Sequence, residues 1–251
     1  MKNNYIMKRS KNLLVISGHD PTGGAGIQAD IEVSRNFNIK VFSVLTCTTI
    51  QNTSKVTKVT SSKKNYINKS INEIIKEFKI DGVKIGVIPN LSVAKEIYNS
   101  LIKHKLYKKK IILDPIIYSE SGYKFISDIT RKYIINKILP LCFIVTPNEF
   151  EDKIIGDEIN TFSGYYLITG IKTKDKVKCY LYKNKRLKKI FTNDNNKKVF
   201  HGTGCALSTS IACNLINGEQ IIKSILKSLL YISKCIKKSN LKGKKQFLLN
   251  K

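Results

Sequence analysis

Leu13-Leu-Val-Ile-Ser-Gly-His-Asp-Pro-Thr-Gly-Gly-Ala-Gly26 decides how this chain is read. The apolar run Leu13 to Ser17 has the length and composition of a buried strand, and it empties into a loop in which Gly18, Gly23, Gly24 and Gly26 allow tight turns and close approach of a ligand. From Gly24 to Phe37 the apolar residues then recur at three- and four-residue spacings, so a helix follows at once. Strand, glycine turn and helix together make one half of a parallel crossover unit.

The unit repeats along the chain. Val41 to Ile50, Gly82 to Ile88, Lys110 to Leu113, Cys142 to Val145 and Tyr165 to Ile168 read as further strands. Lys64 to Phe78, Leu91 to Lys105 and Ile129 to Leu139 carry helical periodicity between them. Val177 to Tyr182 and Lys188 to Phe191 flank a turn at Lys183 to Arg186, and Thr192 to Lys198 reads as a polar loop before a final helical region. The alternation predicts an α/β fold: a mostly parallel central sheet, helices on both faces, and ligands at the carboxyl ends of the strands. With no linker and no repeat, the 251 residues are read as one domain, preceded by a flexible basic stretch over Met1 to Lys11.

The formal net charge of +27 invites a nucleic-acid or membrane reading. Only Arg9, Arg35, Arg131 and Arg186 among the 45 basic residues are arginine, and the lysines are scattered among Asn and Ile, as in a base composition drifted toward A and T. Arginine forks and interleaved aromatic platforms are absent, so nucleic acid is not the expected partner. A basic surface does attract anionic substrates. The apolar run before Gly18 is too short for a signal-peptide core or a membrane span, and the six cysteines show no CxxC spacing, so reduced thiols in the cytoplasm are expected.

Two familiar nucleotide loops fail on the first motif. Gly24-Ala-Gly26-Ile-Gln-Ala29 fits GxGxxA, but no acidic residue stands between Glu32 and Glu73 to hold a ribose. Gly18 and Gly23 have P-loop spacing, yet Gly24 and Ala25 occupy the Lys and Ser/Thr positions. Asp30, four residues after Gly26, and Gln51, ending the second strand, are read as reaching one pocket. The Gln amide matches the donor and acceptor edge of an aminopyrimidine, and Asp30 would accept from an amino or hydroxyl group.

A second motif, His201-Gly-Thr-Gly-Cys205, enters the apolar helical run Ala206 to Leu215. Free backbone N–H groups at such a helix start form an anion hole, so Gly202, Thr203 and Gly204 are candidates for stabilising a moving phosphoryl group. Cys205 in the first turn is expected to have a lowered thiol pKa, and to accept a proton from a substrate alcohol or to position it. Asp114 ends the Lys110 to Leu113 strand, and Asn148 and Glu151, three apart after Pro147, are expected to share a helix face. These hard oxygen ligands would hold magnesium directly or through water, with Asp114 and Glu151 as the charged ligands.

With these residues in place, the chain from about Leu13 to Leu215 resembles the hydroxymethylpyrimidine/phosphomethylpyrimidine kinases of thiamine biosynthesis, members of the ribokinase-like superfamily. The resemblance rests on Gly18 to Asp30, Gln51-Asn-Thr53, Val83-Lys-Ile-Gly86, Leu113-Asp-Pro115, Thr146 to Glu151 and His201 to Cys205, in that order. It implies a cytoplasmic homodimer that uses ATP and Mg2+ to phosphorylate the hydroxymethyl group of an aminopyrimidine and then its monophosphate. It places Gly18, Asp30, Gln51 and Val87 around the pyrimidine, Asp114, Asn148, Glu151 and Thr169 at magnesium-ATP, and Gly202, Thr203, Gly204 and Cys205 at the transferred phosphate.

Three departures from the family pattern bear on ATP. Ser119-Glu-Ser-Gly122 puts Glu120 where the family has a lysine, and Thr169-Gly-Ile-Lys172 replaces Lys-Gly-Gly-His, leaving Lys172 three residues on as the substitute cation. The stretch between Glu151 and Tyr165 is also shorter, which implies a trimmed crossover helix. Two other readings stay open here: a pyridoxal kinase, whose members near this family tend to lack the glutamine that is Gln51, and a non-catalytic binding homologue, against which Cys205 and Gly202 argue.

Overall fold

The computed structural model describes residues 10–159 and 162–251. Most of the predicted N-terminal stretch, residues 1–9, lies outside them, and Lys11 already belongs to a strand, β1 (Lys11–His19). Positions 12 to 18 of β1 are all buried, as in a central strand covered on both faces. It is followed by α1 (Gly26–Asn36), β2 (Ile39–Gln51), β3 (Val56–Ser61), α2 (Tyr66–Glu77), β4 (Gly82–Ile85), α3 (Leu91–Lys103) and β5 (Lys110–Leu113). The chain continues through α4 (Asp128–Tyr133), β6 (Ile144–Val145), α5 (Glu149–Ile155), β7 (Tyr165–Lys172), β8 (Lys176–Lys183) and β9 (Arg186–Asp194). It closes with β10 (Phe200–His201), α6 (Thr203–Ile216), α7 (Ile221–Lys238) and β11 (Phe247–Leu248).

The main sheet runs β3-β2-β1-β4-β5-β6-β7-β8-β9. All pairings from β2 through β7 are parallel, and the antiparallel pairs are β2 with β3, β7 with β8 and β8 with β9. The predicted mostly parallel α/β sheet is therefore the observed one. One apolar layer holds α2 and α3 with Ile134, Ile135 and Ile138 against the sheet; the other holds α1, α6 and α7. Helix α6 is buried at every position from Cys205 to Ile216, because it is wedged between the sheet and its two neighbouring helices. At Gly82 a Cβ would come within 2.5 Å of Ile216 Cγ2, which is how closely α6 lies on the sheet.

The chain leaves β1 toward β2 on one side and reaches β4 on the other, through α1 and α2 on opposite faces. Between β1 and β4 the strand order therefore switches direction, the place at which open α/β sheets generally leave a ligand-binding crevice. The glycine loop follows β1, and Gly86 to Pro89 follows β4.

Several boundaries differ from the sequence reading for local reasons. The run Gly82 to Ile88 leaves the sheet after Ile85, and Ile129 to Leu139 breaks into α4, a π turn at Ile134–Ile138 and a 3-10 turn at Leu139–Leu141 that contains Pro140. Thr192 to Asp194, read as loop, stays in β9 because Thr192 pairs Lys178 and Asp194 pairs Lys176. The hairpin turns on Asn184 and Lys185, both at positive φ (50° and 60°), the pairing that favours a two-residue connection. Strands β3, β10 and β11 and helix α7 were not predicted. The crossover from β6 to β7 is a seven-residue helix and a 3-10 turn at Gly156–Ile159, as short as the sequence implies.

Candidate active site

The glycine loop is organised by Asp20, which the sequence reading did not single out. Its Oδ1 accepts from the N–H and the hydroxyl of Thr22, both at 2.9 Å, and its Oδ2 accepts from Ala25 N–H at 3.0 Å. The same Oδ2 lies 2.7 Å from His201 Nε2, and the Gln51 side chain also bonds to this carboxylate. Burial opposes the charge, yet the bonds from His201, Thr22 and Gln51 overcome it and hold the carboxyl well below the usual range. Three segments remote in sequence, the glycine loop, the end of β2 and the start of α6, thus converge on one buried carboxylate.

Backbone contact seals the same junction. Gly202 has φ +80°, and a Cβ on it would lie 1.8 Å from Gly24 O; a Cβ on Gly24 would lie 2.1 Å from His201 Cδ2. Only glycine at both positions lets the two loops interlock. Helix α6 then begins with no side-chain cap and no acidic residue in its first turn, and the first N–H to bond back is that of Ala206, to Gly202 O. The N–H groups of Thr203, Gly204 and Cys205 precede it, with Gly204 exposed, an uncapped helix start of the kind from which anion sites are built.

Gly18 and Val87 are brought together as expected: a Cβ on Gly18 would lie 2.6 Å from Val87 Cγ1, so Gly18 is what seats Val87 against the loop. Asp30 is the principal correction. It is fully buried, with both oxygens 3.0 Å from the Nζ of the equally buried Lys84, and it accepts from the Thr209 hydroxyl on α6 at 2.5 Å. Its place four residues after Gly26 turns it under the loop toward β4, where a lysine in a buried strand needs a carboxylate. It supports the site floor and does not face the crevice.

Cys205 is the second correction. At 6% exposure its thiol is pushed up to about 12, because burial outweighs the nearby Lys84 ammonium, although Gly26 N–H bonds to it. A helix start and a nearby cation lower a thiol pKa while burial raises it, and here burial wins. The thiol also bonds to the Asp114 carboxylate. Asp114 is itself buried and its pKa is raised, first by that burial; it accepts from the Ser208 hydroxyl at 3.2 Å.

Asn148 and Glu151 do not aim at a common ion. They form a reciprocal cap on α5: Asn148 Oδ1 accepts from Glu151 N–H at 2.8 Å, and Glu151 Oε2 accepts from Asn148 N–H at 3.0 Å. Glu151 Oε1 accepts from Ile117 N–H at 3.3 Å, and burial, aided by the Asp114 charge, pushes the Glu151 carboxyl up to about 8. Thr169 is buried and gives both its N–H and its hydroxyl to Pro147 O, so it offers no donor outward. Glu120 is exposed at the tip of the loop closed by the Tyr118 to Lys124 bridge, and Lys172 is exposed at the end of β7.

Among the described residues no three His, Cys, Asp or Glu side chains group to hold a metal ion. Asp114 and Glu151 are neighbouring carboxyl groups: the Asp114 charge adds to the cost of ionising Glu151, and the buried Lys84 ammonium offsets part of that cost at Asp114. No helix of the described residues is long and apolar enough to cross a membrane. All six cysteines are buried and free of disulfides.

Comparison with known proteins adds a common pattern. The family described as phosphomethylpyrimidine kinase matches residues 20–250. The hydroxymethylpyrimidine/phosphomethylpyrimidine kinase of Aquifex aeolicus is 30% identical over 247 residues, 92% of this chain and 96% of its own. Among solved structures, the phosphomethylpyrimidine kinase of Clostridium difficile 630 superposes with TM-score 0.75 at 28% identity, over 90% of this chain and 100% of its own. The pyridoxal kinase of Bacillus subtilis, solved as an ADP complex, reaches TM-score 0.85 at 21% identity over 96% of this chain and 97% of its own, a likeness of fold.

Proposed function

Because the chain belongs to the phosphomethylpyrimidine kinase family and is a kinase with the ribokinase-like fold, we propose that it transfers the γ-phosphoryl group of ATP to an aminopyrimidine alcohol and then to the resulting monophosphate. The observation that carries this reading is the meeting of the glycine loop, Gln51 and the α6 start on Asp20. Gln51 offers its amide to the aminopyrimidine edge, and Gly18 and Val87 form the adjoining wall.

The moving phosphoryl group lies at the N–H groups of Thr203, Gly204 and Cys205, where charge spreading over its oxygens meets fixed donors. In a loose transition state the alcohol keeps its proton until late, so Cys205 serves as a protonated thiol that positions the hydroxyl; as the O–P bond forms, the sulfur takes the alcohol's proton while its own moves to Asp114. Mg2+, held through water near Asp114 and Glu151, would neutralise the phosphates; Asn148 fixes Glu151 by the cap. Glu120 and Thr169 stand where the family pattern has phosphate-facing lysines, and Lys172, exposed at the end of β7, is the candidate substitute. The reading includes a cytoplasmic setting, which the free thiols suit, and a homodimer by family likeness.

The test incubates the protein with magnesium-ATP and, separately, hydroxymethylpyrimidine, its monophosphate and pyridoxal, following ADP release. Turnover with both pyrimidines supports the reading. Turnover with pyridoxal alone assigns a pyridoxal kinase, and binding without turnover assigns a non-catalytic homologue.

A further inference from the structure

The stretch 239–251 packs against three of the segments that build the candidate site: β10, the loop after Gln51 and the glycine loop. Phe247 and Leu248 of β11 pair in parallel with Phe200 and His201 of β10, and Phe247 N–H donates to Val199 O at 2.9 Å. A Cβ on Gly243 would lie 2.1 Å from Thr53 Oγ1, so the stretch also lies against the loop that follows Gln51. Leu249 is buried among the residues of the α6 layer, and Asn250 N–H donates to Ser239 Oγ at 2.8 Å.

The strap ends in a lysine whose side chain is 1% exposed. Lys251 Nζ donates to Gly23 O at 2.8 Å and pairs with Glu32 Oε2 at 3.1 Å. A lysine in this protein of exposed lysines is enclosed only where its ammonium is matched. Gly23 itself has φ +70°, its N–H donates to Asp20 O at 3.0 Å, and a Cβ on it would lie 2.7 Å from Gln28 Nε2. Gln28 in turn donates to Glu32 Oε1 at 3.3 Å. The ammonium therefore ties the turn of the glycine loop to the first helix.

We infer that Lys251 is a positioning residue for the kinase reaction, clamping Gly23 so that the glycine loop keeps the geometry in which Asp20, Gln51 and the α6 start share one crevice. It touches neither reacting atom nor phosphate and acts through the backbone of the loop. This rests on the proposed pyrimidine reading for its kinetic consequence, while the clamping itself does not.

The experiment compares the full-length protein with Lys251→Met, Lys251→Arg and Glu32→Gln, by steady-state kinetics and by amide hydrogen exchange. Loss of a charge-assisted bond from an enclosed ammonium is expected to raise KM for the pyrimidine alcohol about tenfold in Lys251→Met. KM for ATP stays within about twofold, Lys251→Arg recovers most of the difference, and exchange across residues 22–26 accelerates. Glu32→Gln, which weakens the ammonium's seat, moves both readouts the same way by a smaller factor. Unchanged exchange at 22–26 together with an unchanged pyrimidine KM in Lys251→Met overturns the inference, as does a parallel rise in both KM values that arginine does not rescue. If the parent protein releases no ADP with either pyrimidine, the proposed function falls, and the exchange comparison alone decides the clamp.

Discussion

Replacing Lys84 by methionine tests the floor of the site most directly. Lys84 and Asp30 are both fully buried, and each carboxylate oxygen lies 3.0 Å from the ammonium. Removing the lysine keeps the apolar stem and strands the carboxylate, which then has only the Thr209 hydroxyl. Breaking a buried pair from one side costs about 3–5 kcal/mol. At about 2–4 °C per kcal/mol for a chain of this size, the midpoint of thermal unfolding falls by roughly 6–20 °C. The double variant Lys84→Met/Asp30→Asn removes both charges and recovers most of that loss, so the coupling between the sites is large and of opposite sign to the single effects. Urea and thermal unfolding followed by circular dichroism measure all four corners of the cycle. A single-variant loss under about 1 kcal/mol, or a double variant no better than Lys84→Met, refutes the buried-pair reasoning. If Asp30 read substrate directly, Asp30→Asn would raise KM and leave stability nearly unchanged.

Gly202→Ala forces a Cβ into Gly24 O at a positive φ; about 1–2 kcal/mol of backbone cost and a displaced anion hole are expected to lower kcat/KM by roughly 100- to 1,000-fold in a coupled ADP assay. Cys205, its thiol pushed up to about 12, resists iodoacetamide near pH 8 in the folded protein, and peptide mass spectrometry showing rapid alkylation there contradicts the buried, protonated thiol. Asp20 has a folded pKa below its unfolded value of about 3.9, so its contribution to stability is complete above that value and is lost as pH falls below about 4 toward the folded pKa. Asp20→Asn is expected to flatten the acid limb of the stability profile, and an unaltered acid slope excludes the carboxylate as its source.

Much of the fold was legible because its strands are apolar runs buried on both faces, as in β1 and β5, and because glycines mark where the chain turns toward the crevice. The polar edge strand β3 was invisible, since one exposed strand leaves no apolar run and takes its shape from pairing with β2. That Gln51 and the α6 start come together at the glycine loop was readable from their positions at element ends. Asp30 was misread because its partner lies 54 residues away, although a lysine within the strand Val83-Lys84-Ile85 was itself a sign that a carboxylate must be near. Cys205 followed the helix-terminus rule only in part, since depth outweighs the dipole. Asn148 and Glu151 carry the spacing of a reciprocal cap, and that local satisfaction ties the Asn148 amide oxygen and one Glu151 oxygen to the helix start, so the two side chains do not converge on one ion. Asp20 was present in the quoted motif, with Thr22 two residues on as the signature of a side-chain turn.

The interlock of Gly24 with Gly202 joins positions separated by most of the polypeptide, so the candidate site is complete only once the chain has closed this long-range contact. The pairing of β1 with β2 and β4 does not by itself bring the α6 start to the glycine loop. Affinity for a nucleotide or pyrimidine thus reports on completed topology, and a ligand present during renaturation stabilises only the finished state without hastening the steps that precede it.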